Sequence, residues 1–436
     1  MSRPKVLYVA HNHPTIRPGG AEAYALELYE AMRYPGRYEP MLLARTGQPV
    51  SKGQRYHEGT LLTGVGDDPN QYFFYTEFEE YNWLLGTSTN KPVITRFFRE
   101  FLEAVQPDLV HFQHTLFFGY DAIRQVRNAL PGVPIVYTLH EFLPICHRQG
   151  QLLRVGSDEP CMEESPRRCH ECYPQTPPQE FFLRKRFIQA QLSLVDLFLA
   201  PSHFLRDRYV DWGLEPDRIR FEDYGRTVTT TPAPGGRRKR RNRLAFFGQV
   251  SHYKGVNVLL AAIKRIAEEG LDVRLSVHGA NLELQPQDFQ DQFDALLAAC
   301  GDTVSFEGSY DHDQLPALME NADWVIVPSI WWENSPLVIQ EAFQHGRPVI
   351  CSDIGGMAEK VTDGVDGLHF RAGDPESLAR VISRALAKPE LWRELRAGIQ
   401  PVYTMSEHID TLSGIYDVLI ADRASAAAAT LTGAAR

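Results

Sequence analysis

The spacing of apolar positions changes several times along the chain, and each change marks a predicted element. Residues 5–10 form a short unbroken apolar run, as a buried strand does. From Gly19 the apolar positions fall at Ala21, Tyr24, Ala25, Leu28 and Met32, one face of a helix. Strand-like runs recur at 109–112 and 135–139 around a helical stretch at 120–129, the order of a parallel sheet with crossover helices. The run Thr-Pro-Ala-Pro-Gly-Gly at 231–236 can continue neither a helix nor a central strand. Beyond it the alternation restarts: strand 244–247, helix 256–269, strands 274–277 and 304–307, and helix 314–320. Strand 324–327, a helix from Pro336, strand 348–352 and a helix from Pro375 follow, which makes a second complete α/β unit.

A chain of 436 residues exceeds one ordinary core, and the break at 231–236 divides it into two halves of domain size. The expected domains are 1–232 and 244–403, joined by a basic linker at 233–243. A helix at 404–423 and a disordered tail at 424–436, rich in small residues, complete the division. Residues 72–85 hold Tyr72, Phe73, Phe74, Tyr75, Phe78, Tyr81 and Trp83 and are expected in a long connection, either as a lid or acceptor platform or as a small buried side cluster.

Charge removes some functions. Forty-five basic against 55 acidic residues give a net charge of −10, so no overall positive field gathers nucleic acid. Arg237, Arg238, Lys239, Arg240, Arg241 and Arg243 form one basic run, read as a solvated linker, with contact to anionic lipid as the alternative. Without an apolar run of membrane-spanning length or a signal-peptide pattern, a cytoplasmic location is expected.

Two features point to an anionic ligand at a strand-to-helix turn. Gly19 and Gly20 end the loop after the first strand, where free N–H groups and the helix dipole favour a phosphate. In the segment 333–341, Ser335 is expected to cap a helix whose first turn holds Pro336, with Glu333 in the loop before it and Glu341 in the second turn. Two carboxylates around such a helix start suit a ligand with hydroxyls on either side of a diphosphate. Asp311 and Asp313 resemble a metal pair but precede a helix, where aspartate serves as an N-cap.

These residues stand in a recognisable order. Glu333 and Glu341 lie between Val-Pro-Ser at 327–329 and His-Gly-Arg-Pro-Val-Ile at 345–350, with Asp-Ile-Gly-Gly at 353–356. Upstream stand Pro-Gly-Gly-Ala-Glu at 18–22, Pro-Asp-Leu-Val-His at 107–111, Tyr-Thr-Leu-His-Glu at 137–141, Phe-Gly-Gln-Val at 247–250 and Lys254-Gly255. The set resembles the retaining GT-B glycosyltransferases of family 4, over nearly the whole chain.

The resemblance implies two Rossmann-like domains facing a cleft, a C-terminal helix returning to the first domain, and sugar transfer from a UDP- or GDP-sugar to a glycan or lipid-linked acceptor in polysaccharide or glycolipid assembly, without a catalytic metal. It implies that Glu341 bonds the ribose, that Glu333 bonds the transferred sugar, and that Asn334 and Ser335 lie at the phosphate end. Gly20 would face the diphosphate, His140 would sit beside the sugar, and Lys254 would neutralise the leaving group. Where many relatives carry an arginine near Lys254 this chain has Gln249, and Arg226 is the expected substitute. Weak peripheral membrane association follows from the same likeness. The rival readings are a GT-B-like sugar-nucleotide epimerase and a nonenzymatic sugar-nucleotide sensor.

Four of the six cysteines fall in 142–178, just after His140: Cys146, Cys161, Cys169 and Cys172, the last two spaced C-x₂-C. Four thiolates suit tetrahedral zinc, with an iron–sulfur cluster or simply packed thiols as the alternatives. Cys300 and Cys351 are read as isolated packing residues.

Overall fold

The computed structural model describes residues 3–16, 19–34, 36–47, 61–76, 81–228 and 240–433, the last eight of these as backbone only. The chain divides into two compact units: Met1–Thr227 with Thr404–Arg436, and Val228–Tyr403. The linker break at 231–236, Arg237, Arg238, Lys239 and Phe78 lie outside the described residues.

Among the described residues unit 1 holds ten strands: β1 Lys5–Ala10, β2 Glu39–Thr46, β3 Leu62–Val65, β4 Asp68–Tyr75, β5 Tyr81–Asn82, β6 Thr87–Ser88, β7 Leu109–Phe112, β8 Ile135–Thr138, β9 Leu197–Ala200 and β10 Ile219–Phe221. Eight of them form one sheet in the order β10-β9-β8-β7-β1-β2-β4-β3, and β5 pairs with β6 as a separate ribbon. All neighbours in the large sheet run parallel except β3 against β4. The aromatic run expected in a connection is therefore partly sheet: Tyr72–Tyr75 belong to β4, with Phe74 fully buried. Bulky aromatics fit a pleated, half-buried surface, and that preference outweighed the loop expectation.

The sheet reverses its winding between β1 and β7, since the chain leaves β1 for β2 on one side and later returns to β7 on the other. In open α/β sheets the crevice beyond such a reversal receives ligands, because the flanking loops diverge there.

The last helix, Met405–Gly433, belongs to this unit. Tyr416 anchors it, its hydroxyl 2.7 Å from His111 Nδ1 and 3.3 Å from the Tyr8 hydroxyl. Each buried polar atom here has a partner, as burial requires. The helix runs ten residues beyond the expected end at 423, because alanine, common in that tail, is the strongest helix former.

Unit 2 carries β11 Arg243–Phe247, β12 Arg274–His278, β13 Val304–Gly308, β14 Trp324–Val327, β15 Val349–Ser352 and β16 Gly367–Phe370. They form an all-parallel sheet in the order β13-β12-β11-β14-β15-β16. Side chains alternate between its faces: Leu244 and Phe246 join one apolar core, Ala245 and Phe247 the other. With helices packed over both cores, the strands read as continuous apolar runs. The winding reverses between β11 and β14.

The linker expected at 233–243 ends earlier than its charge pattern implied. Arg241 is almost buried, 3.1 Å from the Asp323 carboxylate, with its guanidinium 3.8 Å from the Trp392 ring centroid. A partnered arginine is cheap to bury, whereas a bare one is not.

Candidate functional site

In unit 2 the chemistry collects at the reversal. Lys254 follows β11 and Glu333 follows β14, and the lysine Nζ lies 2.6 Å from Glu333 Oε1. Ser329 Oγ at 2.8 Å and Trp331 Nε1 at 2.9 Å donate to the same oxygen. Burial opposes ionisation of Glu333, but Lys254 and the two neutral donors outweigh it and hold the carboxyl below the usual carboxylate range. All three donors meet the same oxygen, Oε1.

Two close glycine contacts set this geometry. Gly255 has φ +69°, and a Cβ there would stand 1.8 Å from the Pro328 carbonyl oxygen. At Gly356 a Cβ would stand 1.6 Å from the Asn334 oxygen, and its N–H donates to the Glu333 carbonyl at 2.7 Å. The backbone thus approaches as closely as only glycine allows. The segment 328–335 is thereby gripped from two sides, by the turn carrying Lys254 and by the Gly355–Lys360 helix.

Ser335 departs from expectation. The helix is Leu337–Gln344, and its N-cap position is Pro336, which makes no side-chain cap bond. Pro336 has ψ 118°, extended rather than helical, so the helix starts one residue later than its sequence suggested. The Ser335 hydroxyl instead meets Lys360 Nζ at 2.5 Å. N–H groups in the first turn of a helix are the kind of donors that receive a phosphate. Lys360 was missed because nothing in its local spacing links it to residue 335. Asn334 Oδ1 accepts from the Ser335 N–H. Gln249, after β11, is exposed.

Glu341 lies within electrostatic reach of Tyr310. Phe247, His278 and Tyr310 stand at or just beyond the ends of β11, β12 and β13: the Phe247 and His278 rings stack at 4.9 Å, and Tyr310 meets Phe247 edge-on at 5.7 Å. The sequence hid this aromatic group because its members come from three separate strand ends. Asp311, considered as a metal ligand, closes a capping box with Gln314, which meets its N-cap expectation.

In unit 1, His140 follows β8. Its Nδ1 lies 2.6 Å from the Tyr224 hydroxyl and its Nε2 3.0 Å from Gln113 Oε1. Because the amide oxygen only accepts, Nε2 carries the proton and Nδ1 accepts from the tyrosine. Burial, then the neighbouring imidazoles of His114, His11 and His111, push its pKa well down, so His140 is a neutral hydrogen-bonding group. Tyr224 stacks on it at 5.4 Å.

The first helix, Gly20–Arg33, starts after Gly19, whose φ of −163° is ordinary extended backbone. Glycine is needed there for space: a Cβ would lie 2.4 Å from Glu22 Oε2. That helix start therefore already holds a carboxylate, which weighs against a second anion at Gly19 and Gly20. Arg226 is likewise committed. Its Nη1 lies 2.8 Å from Glu27 Oε2, and its carbonyl accepts from the Met405 N–H, which ties the first helix to the last. It belongs to unit 1, whereas Gln249, whose lost charge it was expected to replace, belongs to unit 2.

The cysteine segment is pinned by arginines: Arg184 donates to the Leu143 and Pro144 carbonyls at 2.6 Å each, and Arg208 to the Met162 carbonyl at 2.9 Å. Cys169 and Cys172 lie on the short helix Pro166–Cys172. Burial, Glu164 and the sulfurs of Cys146 and Cys161 push the Cys169 thiol up to about 12. Backbone N–H groups of Leu152 and Arg148 point at the Cys146 sulfur. The donor set matches zinc chemistry, but among the described residues no three potential ligands stand close enough to hold an ion. Cys300 and Cys351 are buried singly, as expected.

Two family descriptions match in tandem: Glycosyltransferase Family 4 over residues 18–221 and Glycosyl transferases group 1 over residues 228–400. Among curated proteins, a D-inositol 3-phosphate glycosyltransferase of Salinispora arenicola is 32% identical over 311 residues, 66% of this chain and 63% of that protein. The alpha-D-kanosaminyltransferase of Streptomyces kanamyceticus is 25% identical over 177 residues, 39% of this chain and 44% of that protein. The chain spans from 34% to 63% of the length of such relatives. Among solved structures, sucrose-phosphate synthase from Thermosynechococcus elongatus superposes with TM-score 0.73 at 20% identity, covering 97% of this chain and all of that one. Anabaena HepE in complex with UDP gives 0.64 at 16% identity, covering 95% of this chain and 100% of that one. The fold is the two-domain α/β GT-B fold.

Proposed function

The chain belongs to the group 1, family 4 glycosyltransferases, and from that membership we propose that it moves a sugar from a nucleoside-diphosphate sugar to a hydroxyl acceptor with retention of anomeric configuration. The observation that carries this reading is the Lys254–Glu333 pair at the reversal of the second sheet, beside an uncapped helix start. Glu333 Oε2 accepts a hydroxyl of the transferred sugar. Lys254 and Lys360 face the diphosphate, whose negative charge grows as the glycosidic bond breaks. Stabilising that growing charge is the largest electrostatic gain open to the site. Glu341 takes the ribose hydroxyls, and the Phe247, His278 and Tyr310 group is the stacking surface for the base.

His140, neutral and held by Tyr224 and Gln113, hydrogen-bonds the sugar without adding positive charge that would oppose an oxocarbenium-like centre. The proton leaving the acceptor hydroxyl passes to the departing diphosphate on the same face, the step that accounts for retention. The acceptor is a glycan or lipid-linked hydroxyl, reached at the cytoplasmic face of a membrane. No helix among the described residues is long and apolar enough to cross one.

A screen of UDP- and GDP-sugars for diphosphate release, with glycan and lipid-linked acceptors, tests the activity. Tight donor binding without turnover would replace the enzyme by a sensor, and release of an epimerised sugar would replace transfer by epimerisation. NMR of the product's anomeric proton tests retention. For Cys146, Cys161, Cys169 and Cys172, structural zinc remains the proposed occupant, with the cysteine sulfurs drawn together on binding. Elemental analysis giving neither zinc nor iron in the purified protein would dismiss it.

A further inference from the structure

A polar cluster in unit 1 stands at the reversal of its own sheet and adjoins His140 through Gln113. His11 follows β1, Gln113 and His114 follow β7, Glu141 follows His140 beyond β8, and Glu22 reaches in from the first helix. His11 Nε2 lies 3.0 Å from Glu22 Oε1, and its ring is centred 4.3 Å from that of His114. His114 Nε2 lies 3.2 Å from Glu141 Oε1. The four side chains thus form a row: carboxylate, imidazole, imidazole, carboxylate. They are not sealed, with side-chain exposures of 16% at His11 and 26% at Glu141.

One atom in this place lacks what burial demands. Gln113 is 1% exposed and gives its Oε1 to His140, while its Nε2 has no hydrogen-bond partner. Gln113 directly precedes His114 in the chain, and its partner His140 feels the charge of both His114 and His11. A buried N–H₂ without a protein acceptor is costly, so this amide is available to donate to a ligand oxygen.

The charge of the row says which oxygen. Glu22 and Glu141 accept hydroxyl or ammonium hydrogens and repel anions. Burial and the neighbouring His114 keep His11 from supplying a compensating positive charge. We propose that His11, Glu22, Gln113, His114 and Glu141 form the acceptor-recognition surface, and that it selects a neutral or amine-bearing polyol over a phosphorylated one. This rests on the transferase reading.

Saturation-transfer NMR on the full chain tests it with three probes of one scaffold: glucose, glucosamine and glucose 6-phosphate at equal concentration. Glucosamine is expected to respond at least about tenfold more strongly than glucose 6-phosphate, with glucose between them. In Glu22→Gln/Glu141→Gln the spread should shrink to about twofold. Glu141→Gln alone serves if thermal melting shows the double variant misfolded. Glucose 6-phosphate binding as well as glucosamine, silence from all three sugars, or a preference that survives the substitutions would overturn the proposal. Calorimetry of UDP and GDP on the same preparation separates the two levels. Nucleotide binding with the wrong sugar ranking sinks only the acceptor assignment, whereas no nucleotide binding removes the transferase reading beneath it.

Discussion

In unit 1 the loops after β1 and β7 converge on imidazoles and carboxylates, whereas in unit 2 the loops after β11 and β14 converge on a lysine, a glutamate and an uncapped helix start. Both sheets reverse their winding at that point, so topology supplies each unit with a crevice and leaves its chemistry open. Side-chain charge then divides the labour. The second crevice offers cations beside a helix start. The first fills its helix start with Glu22 and offers hydroxyl acceptors.

The comparison breaks most readily at the glycines. Gly255→Ala places a Cβ against a fixed carbonyl at a positive φ, and should destabilise unit 2 by about 3–4 kcal/mol in chemical denaturation. Gly19→Ala in unit 1 displaces only the Glu22 side chain and should cost under about 1 kcal/mol. Equal losses would show that the two turns are not held differently.

Lys254→Met leaves Glu333 buried without its cation. Because the lysine is 29% exposed, the loss should fall near about 3 kcal/mol, with turnover down by about a hundredfold or more. The Glu333 pKa is depressed in the folded protein, so the stability it contributes is complete above the ordinary glutamate value and fades as pH falls through the lower folded value. In Lys254→Met burial again raises the Glu333 pKa, so that acid loss should shrink or reverse, as pH-dependent denaturation would reveal, and an unchanged acid limb would disprove the pairing.

Lys360→Met should weaken UDP or GDP by about tenfold while leaving the corresponding monophosphate within about twofold, and Lys360→Arg should restore most of the difference. A uniform loss for both nucleotides would reduce Lys360 to a brace for Ser335. Smallest is Tyr224→Phe, which removes one hydrogen bond to His140. A loss of about 1 kcal/mol, seen as a fivefold to tenfold lower kcat with donor KM held, is expected.

Much of this was legible before the structure. Strand 324–327 and the helix from Pro375 fall where periodicity put them, because unbroken apolar runs and a proline at a helix start are local signals. Glu333, Lys254 and His140 were named from their motifs, and the structure puts the first two in contact. The helix start was placed one residue early because the extended backbone of Pro336 is not a local sequence signal. The Arg226 partner could not be read from the sequence, because Glu27 is 199 residues away and leaves no periodic trace.

Apolar periodicity, glycine placement and motif order determined the α/β class, the break between the two halves and the residues that bear charge, since each depends on neighbours along the chain. Which charges meet, which helix start stays open and which is filled by its own glutamate were decided by tertiary structure. Those outcomes depend on contacts of a few ångströms between strand ends far apart in sequence, where electrostatic and hydrogen-bond energies change most steeply with distance.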